Sequence, residues 1–137
     1  MVSKSMTFDG ATTNDPGDLT GTGNPATLFT VTGSVLAEVF GVVGTSLGGA
    51  TATVAVGVAG NTGAVIATTT ATDLDAGMGW DDNGPALGEQ HVIGTAVILG
   101  AGLDIIQTVA TADVTSGQIT YYCFWRPLSS DGNVVAA

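Results

Sequence analysis

The residues best suited to chemistry in this chain are carboxylates. Asp73-Leu-Asp75-Ala-Gly77 sets two aspartates one residue apart, and Asp81-Asp82-Asn83 follows shortly after. Hard oxygen ligands at short spacing are what Ca²⁺ takes, so Asp73, Asp75, Asp81 and Asp82 are candidate ligands. The EF-hand pattern is not met, because Gly84 stands where its bidentate glutamate would fall. The plainer reading of the stretch is a solvated turn in which Asp and Asn cap their own backbone.

Other reactive groups are isolated. The only histidine, His91, opens a predicted strand, where a lone imidazole is more often structural or exposed than a base or a ligand. The only cysteine, Cys123, has apolar and aromatic neighbours, which favour an inert core thiol over a nucleophile. Ser34, Ser46, Ser116, Ser129 and Ser130 lie in turn-like contexts without a Gly-x-Ser-x-Gly elbow. The glycines at 48–49 and 57–63 fall between strands, so they do not form a phosphate loop. No convergent set of titratable groups is visible, and the expectation is a protein that is not an enzyme and needs no cofactor.

Composition points the same way. Charged residues make up 10 % of the 137 residues, against roughly 25 % in an ordinary soluble domain. Mean hydropathy is +0.43, and Gly, Thr and Val dominate over the straight-chain helix formers. The formal net charge is −10, with Lys4 and Arg126 the only basic residues. Phosphate binding needs clustered Lys and Arg, so nucleic acid and anionic membranes are excluded as direct partners. The most apolar window, residues 35–60, is broken by Glu38 and a Gly/Thr/Ser stretch, so it fails as an uninterrupted membrane span. A subunit that buries its low-charge surface against other chains accounts better for this composition. A single cysteine and an N-terminus without an apolar signal core imply a protein made in a reducing cytoplasm.

The elements that position these residues are strands. Residues 1–26, rich in Gly, Thr, Asp, Asn and Pro, read as an extended N-terminal arm with Met6 and Phe8 as its large apolar side chains. Residues 27–137 read as one domain. Segments 28–32, 35–43, 51–59, 64–72, 90–99 and 103–112 carry strand patterns, and residues 132–137 could add an edge strand. Val54, Val56 and Val58 alternate with Thr53, Ala55 and Gly57; with the returning segment, whose Thr68, Thr70 and Thr72 lie on one side, they form a hairpin whose small uncharged outer face permits close approach by another chain. Residues 72–89 form the longest break and carry Trp80. The stretch 118–131 holds four of the eight aromatic residues. Ile119, Tyr121, Cys123 and Trp125 share one face there; Gln118, Thr120, Tyr122, Phe124 and Arg126 share the other. The expected fold is all-β: an antiparallel β-sandwich or jelly-roll-like barrel of about seven strands.

Residues 101–132, Ala-Gly-Leu-Asp-Ile-Ile-Gln-Thr-Val-Ala-Thr-Ala-Asp-Val-Thr-Ser-Gly-Gln-Ile-Thr-Tyr-Tyr-Cys-Phe-Trp-Arg-Pro-Leu-Ser-Ser-Asp-Gly, resemble small structural proteins of tailed bacteriophages. So do Leu28-Phe-Thr-Val-Thr-Gly and Thr68-Thr-Thr-Ala-Thr-Asp-Leu-Asp-Ala-Gly. The resemblance covers residues 28–137 and leaves the N-terminal segment outside. It implies a virion protein made in the host cytoplasm, and within that class a capsid decoration protein: small, β-rich, often trimeric, bound to the major capsid protein on the outside of the head. On that reading Trp80, Tyr122, Phe124 and Arg126 are the expected contact residues, because aromatic side chains and arginine anchor interfaces. Met6 and Phe8 would grip the shell or a sister subunit. A tail or tail-fibre-associated protein is the alternative within virions. A glycan- or host-surface-binding sandwich using Trp80 and the acidic loop is the alternative outside them.

Overall fold

The structure, a computed structural model, describes residues 1–10, 14–87, 94–100 and 102–137. Its strands are β1 (Val2–Phe8), β2 (Ala26–Thr32), β3 (Val35–Gly48), β4 (Thr53–Val58), β5 (Asn61–Thr70), β6 (Gly79–Asp81), β7 (Gly84–Ala86), β8 (Val97–Leu99), β9 (Ile105–Ala110), β10 (Ser116–Pro127) and β11 (Asn133–Ala136). One 3-10 turn, Ala71–Asp73, is the only helical element among the described residues. The strands form two antiparallel sheets. Sheet A runs β1-β10-β3-β6-β7, with β8 also on β3, and sheet B runs β11-β2-β9-β4-β5. The sheets face each other across one apolar core, as in a β-sandwich.

Alternation decides which side chains enter that core. On β10, Ile119, Tyr121 and Cys123 point inward and are fully buried, while Gln118 and Phe124 are exposed. β3 does the same with Val35, Ala37, Val39 and Val43 inside and Leu36, Glu38, Phe40 and Val42 outside. β10 lies between β1 and β3 and pairs with both.

Three expectations are corrected. Residues 1–26 are not an arm separate from the domain: β1 is a strand of sheet A, with Val2 opposite Cys123 and Phe8 opposite Gly117. The physical reason lies in Val2, Met6 and Phe8, which recur at period two and give β1 a buried side. There are eleven strands among the described residues rather than about seven. The long break at 72–89 itself contains the β6–β7 hairpin, and β1 was not anticipated as a strand. The small outer face expected for the hairpin of 51–59 and 64–72 is open only in part: Thr68 and Thr72 are exposed, but β4 contributes little surface. Ala55 is buried, and a side chain at Gly57 would run into the carbonyl of Asn61. Of the expected strand at 90–99, residues 97–99 form β8, while residues 90–93 lie outside the described residues.

The sheet edges are blunted. β5 pairs with β4 through two register shifts, and such bulges turn an edge away from further pairing. β7 is three residues long and contains Pro85, and β11 is four residues long. On β1, Lys4 sits half-buried on the inward side, and its Nζ donates to the Ala137 carbonyl at the end of sheet B. An inward charge on an edge strand discourages strand addition.

Candidate functional site

Besides these blunted edges, the outer face of sheet A is the surface that remains to be explained. Cross-strand register builds it in rows. Thr120 lies opposite Val42, Tyr122 opposite Phe40, Phe124 opposite Glu38, and Arg126 opposite Leu36. Leu36 in turn lies opposite Ile98 on β8. Phe40 is the centre of an aromatic ladder: its ring stacks on Tyr122 at 5.3 Å and 17°, and on Phe124 at 6.0 Å and 25°. Such stacking is worth about 0.5–1.5 kcal/mol per pair beyond the area covered, and it holds the rings in one orientation before any partner arrives.

The described residues leave the ladder partly uncovered, with Phe40 and Tyr122 half-buried. Phe124 is 43 % exposed, Val42 39 % and Ile98 73 %. A shallow hollow of about 270 Å³ opens beside it, lined by Met1, Leu36, Glu38, Phe124, Trp125 and Arg126 among others. The face can bury apolar area against a flat or ridged partner, with Glu38 and Arg126 available for polar contacts. Phe40, the residue that ties the face together, could have been found in the sequence by pairing β3 and β10 and asking what opposes Tyr122.

The inner side of the same strand is a core. Tyr121 is fully buried, donates a 2.8 Å hydrogen bond from its hydroxyl to Gln107 Oε1, and meets the Trp80 ring at 6.2 Å and 54°. Gln107 Nε2 donates in turn to the Pro16 carbonyl, so one buried glutamine ties sheet B to sheet A and to the loop before β2. Burial pushes the Tyr121 phenol far above its ordinary pKa. Burial also pushes the Cys123 thiol up to about 11, with the positive chain terminus acting in the opposite sense. A thiol so placed stays protonated near neutrality and is a poor nucleophile.

Three expected contact residues fall in this core rather than on a surface. Trp80 has no exposed area and donates from its indole nitrogen to Thr69 Oγ1, while Met6 and Phe8 are buried under β10. Their period-two placement on paired strands, which could have been read for Met6 and Phe8, turns them inward. Tyr122, Phe124 and Arg126 stand together on the outer face. The structure does not bring the four acidic candidates together. Asp75 accepts from the Ser46 hydroxyl, Asp81 is buried and caps the Asn83 amide, and Asp82 accepts from the Thr95 amide. Asp73 closes the 3-10 turn. Among the described residues no group of three or more His, Cys, Asp or Glu could hold a metal ion. His91 lies outside the described residues.

The Pro-Leu-Ser-Ser-Asp-Gly stretch after β10 is a corner lock. Ser129 Oγ donates to Asp131 Oδ1 at 2.6 Å and accepts from the Ser34 amide, while the Leu128 and Ser129 amides donate to the Ser34 carbonyl. Gly33 adopts φ +60° beneath it, where a Cβ would strike the Asp131 carboxylate and the Ser129 hydroxyl. The Ser129 hydrogen bond, with a backbone one, holds the Asp131 carboxyl below its usual range. The lock fixes the turn between β2 and β3 against the chain leaving β10.

No family model, no curated protein and no solved structure matches this chain.

Proposed function

We propose that the protein is a virion structural subunit that acts by docking, most concretely a capsid decoration protein that binds the outside of a phage head and stabilises the shell. The observation that carries this is the Phe40–Tyr122–Phe124 ladder on sheet A, a preorganised and partly exposed aromatic face on a domain whose edges are blunted. The resemblance of residues 28–137 to phage structural proteins supplies the class of partner, the major capsid protein. The low charge agrees with a binding role. The glycan-binding reading loses its support, because Trp80 is buried and the acidic residues are dispersed.

The test is occupancy of purified shells by the Tyr122→Ala/Phe124→Ala variant. Both side chains point away from the core, so the variant should keep its fold while losing shell binding by at least about 100-fold, the loss of two aromatic anchors. Unchanged occupancy of heads, or binding to purified tails instead, overturns the decoration assignment.

A further inference from the structure

The outer face of sheet A matches itself. Arg126, Leu36, Phe124 and Glu38 form a four-residue cell, with Arg126 opposite Leu36 and Phe124 opposite Glu38. The cell measures about 4.8 Å between strands and about 7 Å along them. The charges occupy one diagonal and the apolar side chains the other. Neither Glu38 nor Arg126 has an ion-pair or hydrogen-bond partner among the described residues. Carboxylates dominate the remaining charges: the net charge is −10, and Lys4, the only other Lys or Arg, is half-buried on the inward side of β1. Two copies of this chain repel each other at long range, and this cell is the place where their charges can pair.

We infer that this face binds a second copy of the chain in a two-fold, face-to-face contact. A two-fold axis lying in the interface along the apolar diagonal brings each Arg126 near Glu38 of the other copy, within reach of its long side chain. It also sets Phe124 against Phe124 and Leu36 against Leu36. Such reciprocity is the condition for an isologous dimer. Ile98, beside Leu36, and the Phe40–Tyr122 stack extend the apolar area on either side of the cell. The contact does not rest on the shell reading. It is a state of the free protein, and shell docking through the same face would require it to open.

Sedimentation velocity across a micromolar-to-millimolar series tests this. The wild-type chain should move from 13.5 kDa towards twice that mass. Glu38→Arg and Arg126→Glu each set like charges against each other at both symmetric contacts, and should raise the dimer dissociation constant at least about tenfold. The combined Glu38→Arg/Arg126→Glu chain restores complementarity and should return to within about threefold of wild type. Unchanged melting temperatures in the three variants establish that the fold is intact. A monomer at every concentration, a threefold mass, or a combined variant no tighter than the single ones overturns the proposal. A monomeric protein that still decorates shells refutes the dimer alone. A dimer that never decorates shells refutes the shell reading alone.

Discussion

Tyr121 and Tyr122 stand side by side on β10, and their rings face opposite surroundings. Tyr121 is sealed between the sheets, with its hydroxyl on Gln107 and its ring against Trp80. Tyr122 is half-exposed and stacks on Phe40 at the outer face. The two faces of one strand thus divide the work. The inner aromatics hold the sandwich together, and the outer ones are arranged but left uncovered. A residue type alone does not say which task it has; its parity along the strand does.

This division can be broken at several points. The largest effect belongs to Trp80→Ala, which empties a fully buried site and should destabilise the fold by about 3–5 kcal/mol in a denaturant titration. A loss below about 1 kcal/mol would mean that the indole is not core. Met6→Ala should cost about 2–5 kcal/mol, whereas the same change in a loose arm would cost almost nothing. Tyr121→Phe removes the hydroxyl and leaves Gln107 Oε1 buried without its donor, for about 1–3 kcal/mol. Tyr122→Phe keeps the stacked ring and should stay within about 0.5 kcal/mol of wild type.

Alkaline titration sharpens the same contrast. The folded pKa of Tyr121 lies above its unfolded value of 10.0, and that of Cys123 at about 11 lies above 9.0. Both groups therefore contribute stability that is complete below those unfolded values and declines as pH rises beyond them. In a Tyr122→Phe background, tyrosinate absorbance should appear only together with loss of the folded circular dichroism signal. Ionisation of Tyr121 in a protein that remains folded would place its ring outside the core.

Much of the fold was legible in the sequence, and the reasons are local. The alternation from Ile119 to Arg126 separates the two faces of β10 because strand side chains repeat every second residue. The same rule read β3 and β4. Over residues 2–8 the Ser and Lys between the apolar positions, and the Gly-rich run that follows, mask the alternation and read as a loose segment. What turned that segment into a strand is its partner, β10, far along the chain, and pairing at that separation leaves no mark in a local window. Trp80 misled for a related reason. It lies among aspartates and glycines, yet the short β6–β7 hairpin carries it inward over Gly41 of β3. The aromatic ladder was half visible: Tyr122 and Phe124 from one strand, Phe40 from another that only register joins to them.

The position of β10 also sets the order in which the chain can fold. β1 pairs only with β10, with Val2 opposite Cys123, and β11 returns to β2, with Asn133 opposite Thr32. A ribosome releases β1 and β3 well before β10. Until β10 emerges, β1 has no partner, and β3 lacks the neighbour against which it makes its longest ladder. Sheet A therefore closes only once β10 is available, at a rate set by long-range loop closure, in the range of roughly milliseconds to seconds typical of all-β domains. Until then its Val-rich strands are open to the same pairing that the finished edges resist.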